Sequence, residues 1–250
     1  MSDWAPLRRY TNARIGLPRA GTTVSTSELL AFQLAHAQAR DAVMKGWDPE
    51  VFARELTDAG IGAFVAHSCA TDRTTYLARP DLGRQLDAKS LTSLKTKAAT
   101  GKAPDVALIM SDGLSATAVE AHGLSTLRAL LDAFRRRGLQ TSPVVLVQNG
   151  RVALSDVIGE ALGARIAVIV LGERPGLSAA DSLGMYLTFS PKGGNTDAQR
   201  NCISNVREPG GLSPAEAAEQ LAGLLVRSLE QGVSGVALKA QAAEPILPNS

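Results

Sequence analysis

Cysteine and histidine are scarce in this chain, and their scarcity removes whole classes of function. Only Cys69 and Cys202 occur in 250 residues. They are far apart and form no Cys-x-x-Cys pair, which argues against a disulfide framework or a thiolate zinc site and fits a reducing cytoplasm. The three histidines, His36, His67 and His122, are scattered, with no two at the spacing that sets a metal-ligating pair on one helix face. Charge of one sign is missing too: a formal net charge of +2 cannot generate the basic field that nucleic-acid binding needs. Long hydrophobic runs are lacking: no stretch approaches the roughly 18 apolar residues of a membrane span. The first residues, MSDWAPLRRY, carry no signal-peptide core. Three motifs are also absent: the G-x-G-x-x-G dinucleotide fingerprint, the phosphate-binding loop of nucleotide hydrolases and the Gly-x-Ser-x-Gly nucleophile elbow.

What remains is a chain with enough apolar residues, 45% of the total, to bury a large core. Residues 1–20 mix Arg8, Arg9, Arg14 and Arg19 with Pro6 and Pro18, so they read as a basic arm that needs a surface to lie on. Ser25 with Glu28 has capping-box spacing and opens a helix in which Leu30, Leu34 and Ala37 recur before Gly46. Asp48-Pro49 starts a second helix, closed by Gly60. The pattern then weakens to a short possible strand in GIGAFVAHSCA and a helix near 84–98. Gly101 to Pro104 is the best boundary, dividing a mostly helical region, 1–101, from a domain of regular alternation, 102–250.

That alternation consists of DVALIM (105–110), a helix to Gly138, PVVLVQ (143–148), a helix from Val152 to Gly163, and RIAVIVL (165–171). LGMYLTF (183–189) adds a strand, and a final helix runs from Ser213-Pro214 to Gly232, leaving a frayed tail, QAAEPILPNS. Short apolar strands alternating with amphipathic helices predict an α/β fold: an open, mostly parallel, Rossmann-like sheet with flanking helices, preceded by a helical extension. No internal repeat interrupts it.

In such a sheet ligands bind beyond the carboxyl ends of the strands. That rule selects Ser111-Asp112-Gly113, Gln148-Asn149-Gly150 and Gly172 to Gly176 as one rim. The rim offers hydrogen bonds more than reactivity. For Ser111-Asp112-Gly113 an ordinary turn is the stronger reading, because Asp-Gly and Asn-Gly turns usually bind nothing. For GERPG a ligand contact is stronger, since Glu173 and Arg174 stand in a turn stiffened by Pro175; the bland alternative is a surface charge pair of little worth. Cys202, in the polar and irregular-looking RNCISN, has no neighbouring histidine to activate it and reads as a packing or cofactor contact.

These segments in order, ARIGLPRAG from Ala13, TYLARPDLGRQLD, SDGLSA, QNGRVALSDVIGEALGAR, LGERPGLSAADSLGMY and RNCISN, resemble the small (light) subunit of ethanolamine ammonia-lyase, an adenosylcobalamin-dependent enzyme. The resemblance implies conversion of ethanolamine to acetaldehyde and ammonia through cobalt–carbon homolysis, hydrogen abstraction by an adenosyl radical and amino-group migration. It implies that the cofactor lies between this chain and a large (heavy) subunit in a hetero-oligomer, and that the substrate site belongs to the large subunit's barrel. No catalytic residue and no protein metal ligand are then assigned here. By the same resemblance Val152, Glu173 and Cys202 are the cofactor-binding positions. No Asp-x-His-x-x-Gly motif is present, so the cofactor would keep its own base on cobalt. Longer relatives carry an extra polar N-terminal segment tied to packaging in a bacterial microcompartment; this chain starts close to the core motifs, and the expectation is a free cytoplasmic protein. Two other readings stay open: a stand-alone cobalamin- or nucleotide-binding module, and a scaffold that never touches cofactor.

Overall fold

The computed structural model describes residues 5–11, 13–17 and 19–238. The tail expected to fray lies outside them, as do parts of the basic arm. Ahead of the main body, a 3-10 turn, Ala5–Tyr10, leads to a minimal hairpin of β1 (Arg19–Ala20) and β2 (Thr23–Val24). Helix α1 (Thr26–Met44) starts where Ser25 Oγ accepts the Glu28 N–H, and α2 (Pro49–Asp58) starts where Asp48 accepts the N–H groups of Glu50 and Val51. Both helices begin at the capping residues read from the sequence.

The body is a six-stranded sheet. Its strands are β3 (Ala63–His67), β4 (Val106–Ser111), β5 (Val144–Gln148), β6 (Ile166–Gly172), β7 (Leu183–Phe189) and β8 (Arg200–Val206), in spatial order β3-β5-β4-β6-β7-β8. Strand β3 precedes residue 101 and pairs in parallel with β5, Val65 opposite Leu146, so the sheet draws one edge from the N-terminal region. Three pairings are parallel, and the two that involve β7 are antiparallel. The sequence reads LGMYLTF as a strand of a mostly parallel sheet, and in the structure it runs antiparallel to both of its neighbours. The reason is the connection: residues 173–182 contain no helix, and a parallel return needs a longer crossover. RNCISN is likewise not irregular. It lies in β8, the edge strand paired with β7, and its polar residues reflect the partly exposed pattern of an edge.

Between the strands run α3 (Arg73–Ala78), α4 (Ala88–Ala99), α5 (Ala116–Arg136) and α6 (Leu154–Ala161), with α7 (Pro214–Gln231) closing the chain. The helix expected near 84–98 begins four residues later, at Ala88, because Asp87 is its cap and accepts the Ser90 N–H. The central strands are buried on both faces, which explains their unbroken apolar runs. Their side chains alternate between two cores. Val106, Leu108 and Met110 pack with residues of α2, α5 and α7, while Ala107 and Ile109 pack with residues of α4 and α6. The helix after β4 and the helix after β5 therefore lie on opposite faces of adjacent strands. A crevice opens where the two chains diverge, at the carboxyl edge. Among the described residues no helix is long and apolar enough to cross a membrane.

Candidate functional site

The turns at that edge are held by a buried polar knot. Asp112, directly after β4, is fully buried. One carboxylate oxygen accepts the Asn149 N–H at 2.6 Å, and the other accepts Arg73 Nη1 at 3.0 Å. Arg73 comes from α3 and also donates to the Gly113 carbonyl at 2.8 Å. Ser111 Oγ accepts the Gly150 N–H at 2.9 Å. Asn149 takes a left-handed φ of 57° to make this turn, a conformation that asparagine tolerates better than most residues. Burial pushes the Asp112 carboxyl up to about 6, against the pull of Arg73, the Asn149 N–H and Ser111. The Ser111-Asp112-Gly113 turn is thus a structural clamp between α3 and the turn after β5.

A second constraint joins β4 to β6. A side chain on Gly172 would place its first carbon 2.1 Å from the Ser115 carbonyl oxygen, and one on Gly113 would meet the Gly172 carbonyl oxygen at 2.4 Å. Only two glycines let these backbones touch, and the Leu114 N–H donates to the Gly172 carbonyl at 2.9 Å across the contact.

Beside this packed floor lies an open cleft of about 430 Å³, lined by Tyr76, Arg151, Val152, Glu173, Tyr186 and Ser204 among others. Val152 stands in the turn between β5 and α6, and Glu173 directly follows β6, so the rim rule and the structure bring these two predicted positions to one wall. Glu173 is tied on three sides. Its carboxylate accepts Ser204 Oγ at 2.5 Å, Ser182 Oγ at 2.8 Å and the Asn205 N–H at 3.2 Å. Arg174, its sequence neighbour, is exposed and lines the same cleft, so the two are not confined to pairing with one another. Cys202 is exposed on β8 opposite Tyr186. It flanks the cleft through that tyrosine and does not line it.

The sequence reading missed Tyr76, Arg151, Tyr186 and Ser204. Tyr76 is fully buried between two guanidinium groups, Arg151 at 4.1 Å and Arg73 at 4.9 Å from the ring centre, and donates to the Gly150 carbonyl at 3.3 Å. Burial pushes its phenol up to about 12, and the phenol of Tyr186 is also raised, by burial first and then by Cys202 and Glu173. Both phenols stay protonated near neutrality. The available signal was faint: both tyrosines fall in segments whose order carried the family resemblance, but nothing local brings α3 to the end of β5.

A third set of contacts supports the cleft from behind. Arg200, the first residue of β8, makes a two-pronged pair with Asp156 of α6, at 2.8 and 2.7 Å, with both side chains 3% exposed. This pair ties the helix that follows Val152 to the strand that carries Cys202 and Ser204.

A profile of the protein family described as ethanolamine ammonia-lyase light chain (EutC) matches residues 1–239. The chain belongs to that family. It is 50% identical over 247 residues to the ethanolamine ammonia-lyase small subunit of Ralstonia nicotianae, covering 98% of this chain and 91% of that one. It is 50% identical over 242 residues to the small subunit of Azotobacter vinelandii (96% and 89% covered), and 49% identical over 249 residues to that of Pseudomonas putida (99% and 91% covered). The chain is therefore an ethanolamine ammonia-lyase light-chain family member, similar to these relatives along nearly its whole length. Among the described residues there is no group of three or more His, Cys, Asp or Glu that could hold a metal ion.

Proposed function

We propose that this chain is the small subunit of an adenosylcobalamin-dependent ethanolamine ammonia-lyase, and that it holds one side of the cofactor against a large subunit that carries the substrate. The observation that carries the proposal is the meeting of Val152 and Glu173, from two different strand-end turns, in one cleft at the carboxyl edge. The names of the relatives, small subunits all, support a larger partner.

The cleft has the chemistry to take an edge of a corrin. Cobalamin is rimmed by carboxamides, each offering both donors and an acceptor. A carboxylate has about four acceptor directions. Three on Glu173 are used by Ser182, Ser204 and Asn205, which leaves one on the oxygen shared only with Ser204 for an amide N–H. Those three bonds hold the carboxylate ready, so little side-chain entropy is lost when the contact forms. Helix α6 starts without a side-chain cap; the N–H groups of Leu154, Ser155 and Asp156 turn back onto the carbonyls of Arg151, Val152 and Ala153, so Val152 offers the cofactor mainly an apolar side chain in the cleft wall. Arg174 adds an exposed donor at the mouth. Cys202 would touch the cofactor's flank beyond Tyr186. A cobalamin is far larger than 430 Å³, so this cleft takes part of it and a second chain must cover the rest.

When bound, the cofactor supplies the radical chemistry, and the protein supplies orientation and exclusion of water. The residues of this chain do the latter. Both cleft tyrosines keep their protons, and Glu173 is spent on hydrogen bonds, so the wall positions without reacting; no catalytic role is assigned to it. The test is reconstitution with the large subunit, adenosylcobalamin and ethanolamine, with ammonia release as the readout. The complex is expected to be active, and Glu173→Ala to raise the half-saturating cofactor concentration about 10-fold, the loss of one charged hydrogen bond. Full activity of the large subunit alone would refute the requirement for this chain. Unchanged cofactor affinity in the Glu173 variant would favour a scaffold, and tight cofactor binding by this chain alone a stand-alone module.

A further inference from the structure

The chain matches its partly buried cations with carboxylates, with one exception. Among the described residues four arginines are buried or half-buried: Arg73, Arg151, Arg200 and Arg207. Three of them meet a carboxylate, Arg73 with Asp112 at 3.0 Å, Arg200 with Asp156 at 2.7 Å and Arg207 with Asp181 at 3.0 Å. Arg151 meets none. Its guanidinium lies 4.1 Å from the centre of the Tyr76 ring and donates Nη2 to the Tyr76 carbonyl at 3.1 Å, while its Nε is buried with no acceptor among the described residues. A partly desolvated charge without a counter-charge is costly, so the arrangement points to an anion supplied from outside.

Arg151 stands in the wall between two spaces. One is the cleft that holds Glu173. The other is a cavity of about 360 Å³, lined by Arg84, Arg151, Val152, Asn195, Asp197 and Arg200 among others. The seating of Arg151 is fixed by its neighbours: its N–H donates to the Gly83 carbonyl at 2.8 Å, and a side chain on Gly83 would meet Arg151 Cγ at 2.9 Å. Glycine therefore lets the stem of Arg151 rest on the turn that carries Arg84. Arg84 is exposed, and its guanidinium makes no ion pair among the described residues. The carboxylates nearby are already engaged, since Asp197 in the lining and Asp156 of α6 both pair with Arg200. Arg84 and Arg151 are the unmatched charges of this cavity.

We propose that Arg84 and Arg151 form a seat for the phosphodiester of the cofactor's nucleotide tail. This inference rests on the cobalamin reading above. The corrin periphery carries neutral carboxamides, and the phosphodiester is the only anionic group of cobalamin outside the corrin–cobalt centre. The two spaces divide along the same line. Glu173 accepts N–H groups and repels an anion, so its cleft suits carboxamides; the cavity across the Arg151–Val152 wall has the positive surplus and suits the phosphate. An arginine fork matches two phosphate oxygens at once. Arg151 is already held by Tyr76 and Gly83, so little side-chain entropy is lost when an anion meets it.

The experiment titrates the complex of the whole chain with its large subunit by equilibrium dialysis, reading bound corrinoid by absorbance. Two ligands are compared: adenosylcobalamin, and adenosylcobinamide, which lacks the phosphate and the nucleotide. Arg151→Gln should weaken adenosylcobalamin binding at least about 10-fold, and Arg84→Glu, at an exposed position that the fold does not use, about 10-fold, while both leave adenosylcobinamide within about 2-fold of the parent. Inorganic phosphate should raise the apparent dissociation constant of adenosylcobalamin and leave that of adenosylcobinamide alone. An equal loss for both corrinoids in Arg151→Gln would make Arg151 a support of the cleft wall and overturn the phosphate seat. Unchanged adenosylcobalamin binding in Arg84→Glu would overturn it too. Inorganic phosphate that binds the parent complex without displacing adenosylcobalamin would assign the two arginines to a free anion, which also overturns the proposal. In these three cases the parent still binds adenosylcobalamin, and the small-subunit reading stands. A parent complex that binds neither corrinoid would overturn both.

Discussion

The Arg200–Asp156 pair offers a sharp test of how the cleft is held. Asp156→Ala leaves a guanidinium at a position 3% exposed. Its remaining partners are weak substitutes. Thr188 Oγ1 at 3.0 Å and the Asn195 carbonyl at 3.1 Å are neutral, and Asp197 at 3.3 Å has a side chain 96% exposed, where water screens it. Breaking a buried pair from one side costs about 3–5 kcal/mol. At roughly 2–4 °C per kcal/mol for a chain of this size, the melting temperature should fall by about 6–20 °C. Replacing both partners by apolar residues, Asp156→Leu with Arg200→Met, removes the stranded charge and should recover stability to within about 2 kcal/mol of the parent, the remainder being the partner lost by Thr188. Denaturant unfolding followed by circular dichroism measures all three proteins. A single variant that costs under about 1 kcal/mol, or a double variant no better than the single, would refute the claim that desolvation of Arg200 dominates.

Asp112 makes a prediction in pH. Its carboxyl is raised to about 6 when folded, from an ordinary 3.8, so the folded chain binds this proton more tightly than the unfolded one. The stabilising contribution is complete below about pH 4, falls as pH rises through 6, and is flat above, a loss of about 3 kcal/mol. The difference in stability between the parent and Asp112→Asn should change by that amount between pH 4 and 7; a difference that stays constant would show that Asp112 does not titrate there. Gly172→Ala should destabilise by about 3 kcal/mol or more, since the new carbon meets fixed carbonyl oxygens, and a soluble variant with an unchanged melting curve would contradict the close approach of the two turns. Ser213→Ala removes the side chain that accepts the Glu216 N–H at the start of α7. It should cost about 1 kcal/mol in denaturant unfolding, and no loss would show that this cap is dispensable.

Local chemistry was legible in the sequence because it acts over a few residues. Ser25, Asp48 and Ser213 start helices where their side chains can reach an N–H two or three residues on, and the doubly buried strands announce themselves as short apolar runs. Cleft positions are legible to the extent that the carboxyl-edge rule applies: it selects the turns that hold Glu173 and lead into Val152. Cys202 was harder, because a polar stretch on an edge strand has the same composition as a loop.

By itself, then, the sequence determined the α/β class, the starts of most helices, the family and one rim of turns, all consequences of periodicity, capping and motif order along the chain. Tertiary structure alone decided that β3 joins the sheet from before residue 101, that β7 and β8 run antiparallel, that Tyr76 is buried between Arg73 and Arg151, and that the leucines of α1 face outward. Each of these depends on contacts between residues far apart in the chain. Leucines at helical spacing are the same string of letters whether they face this chain's own core or the outside.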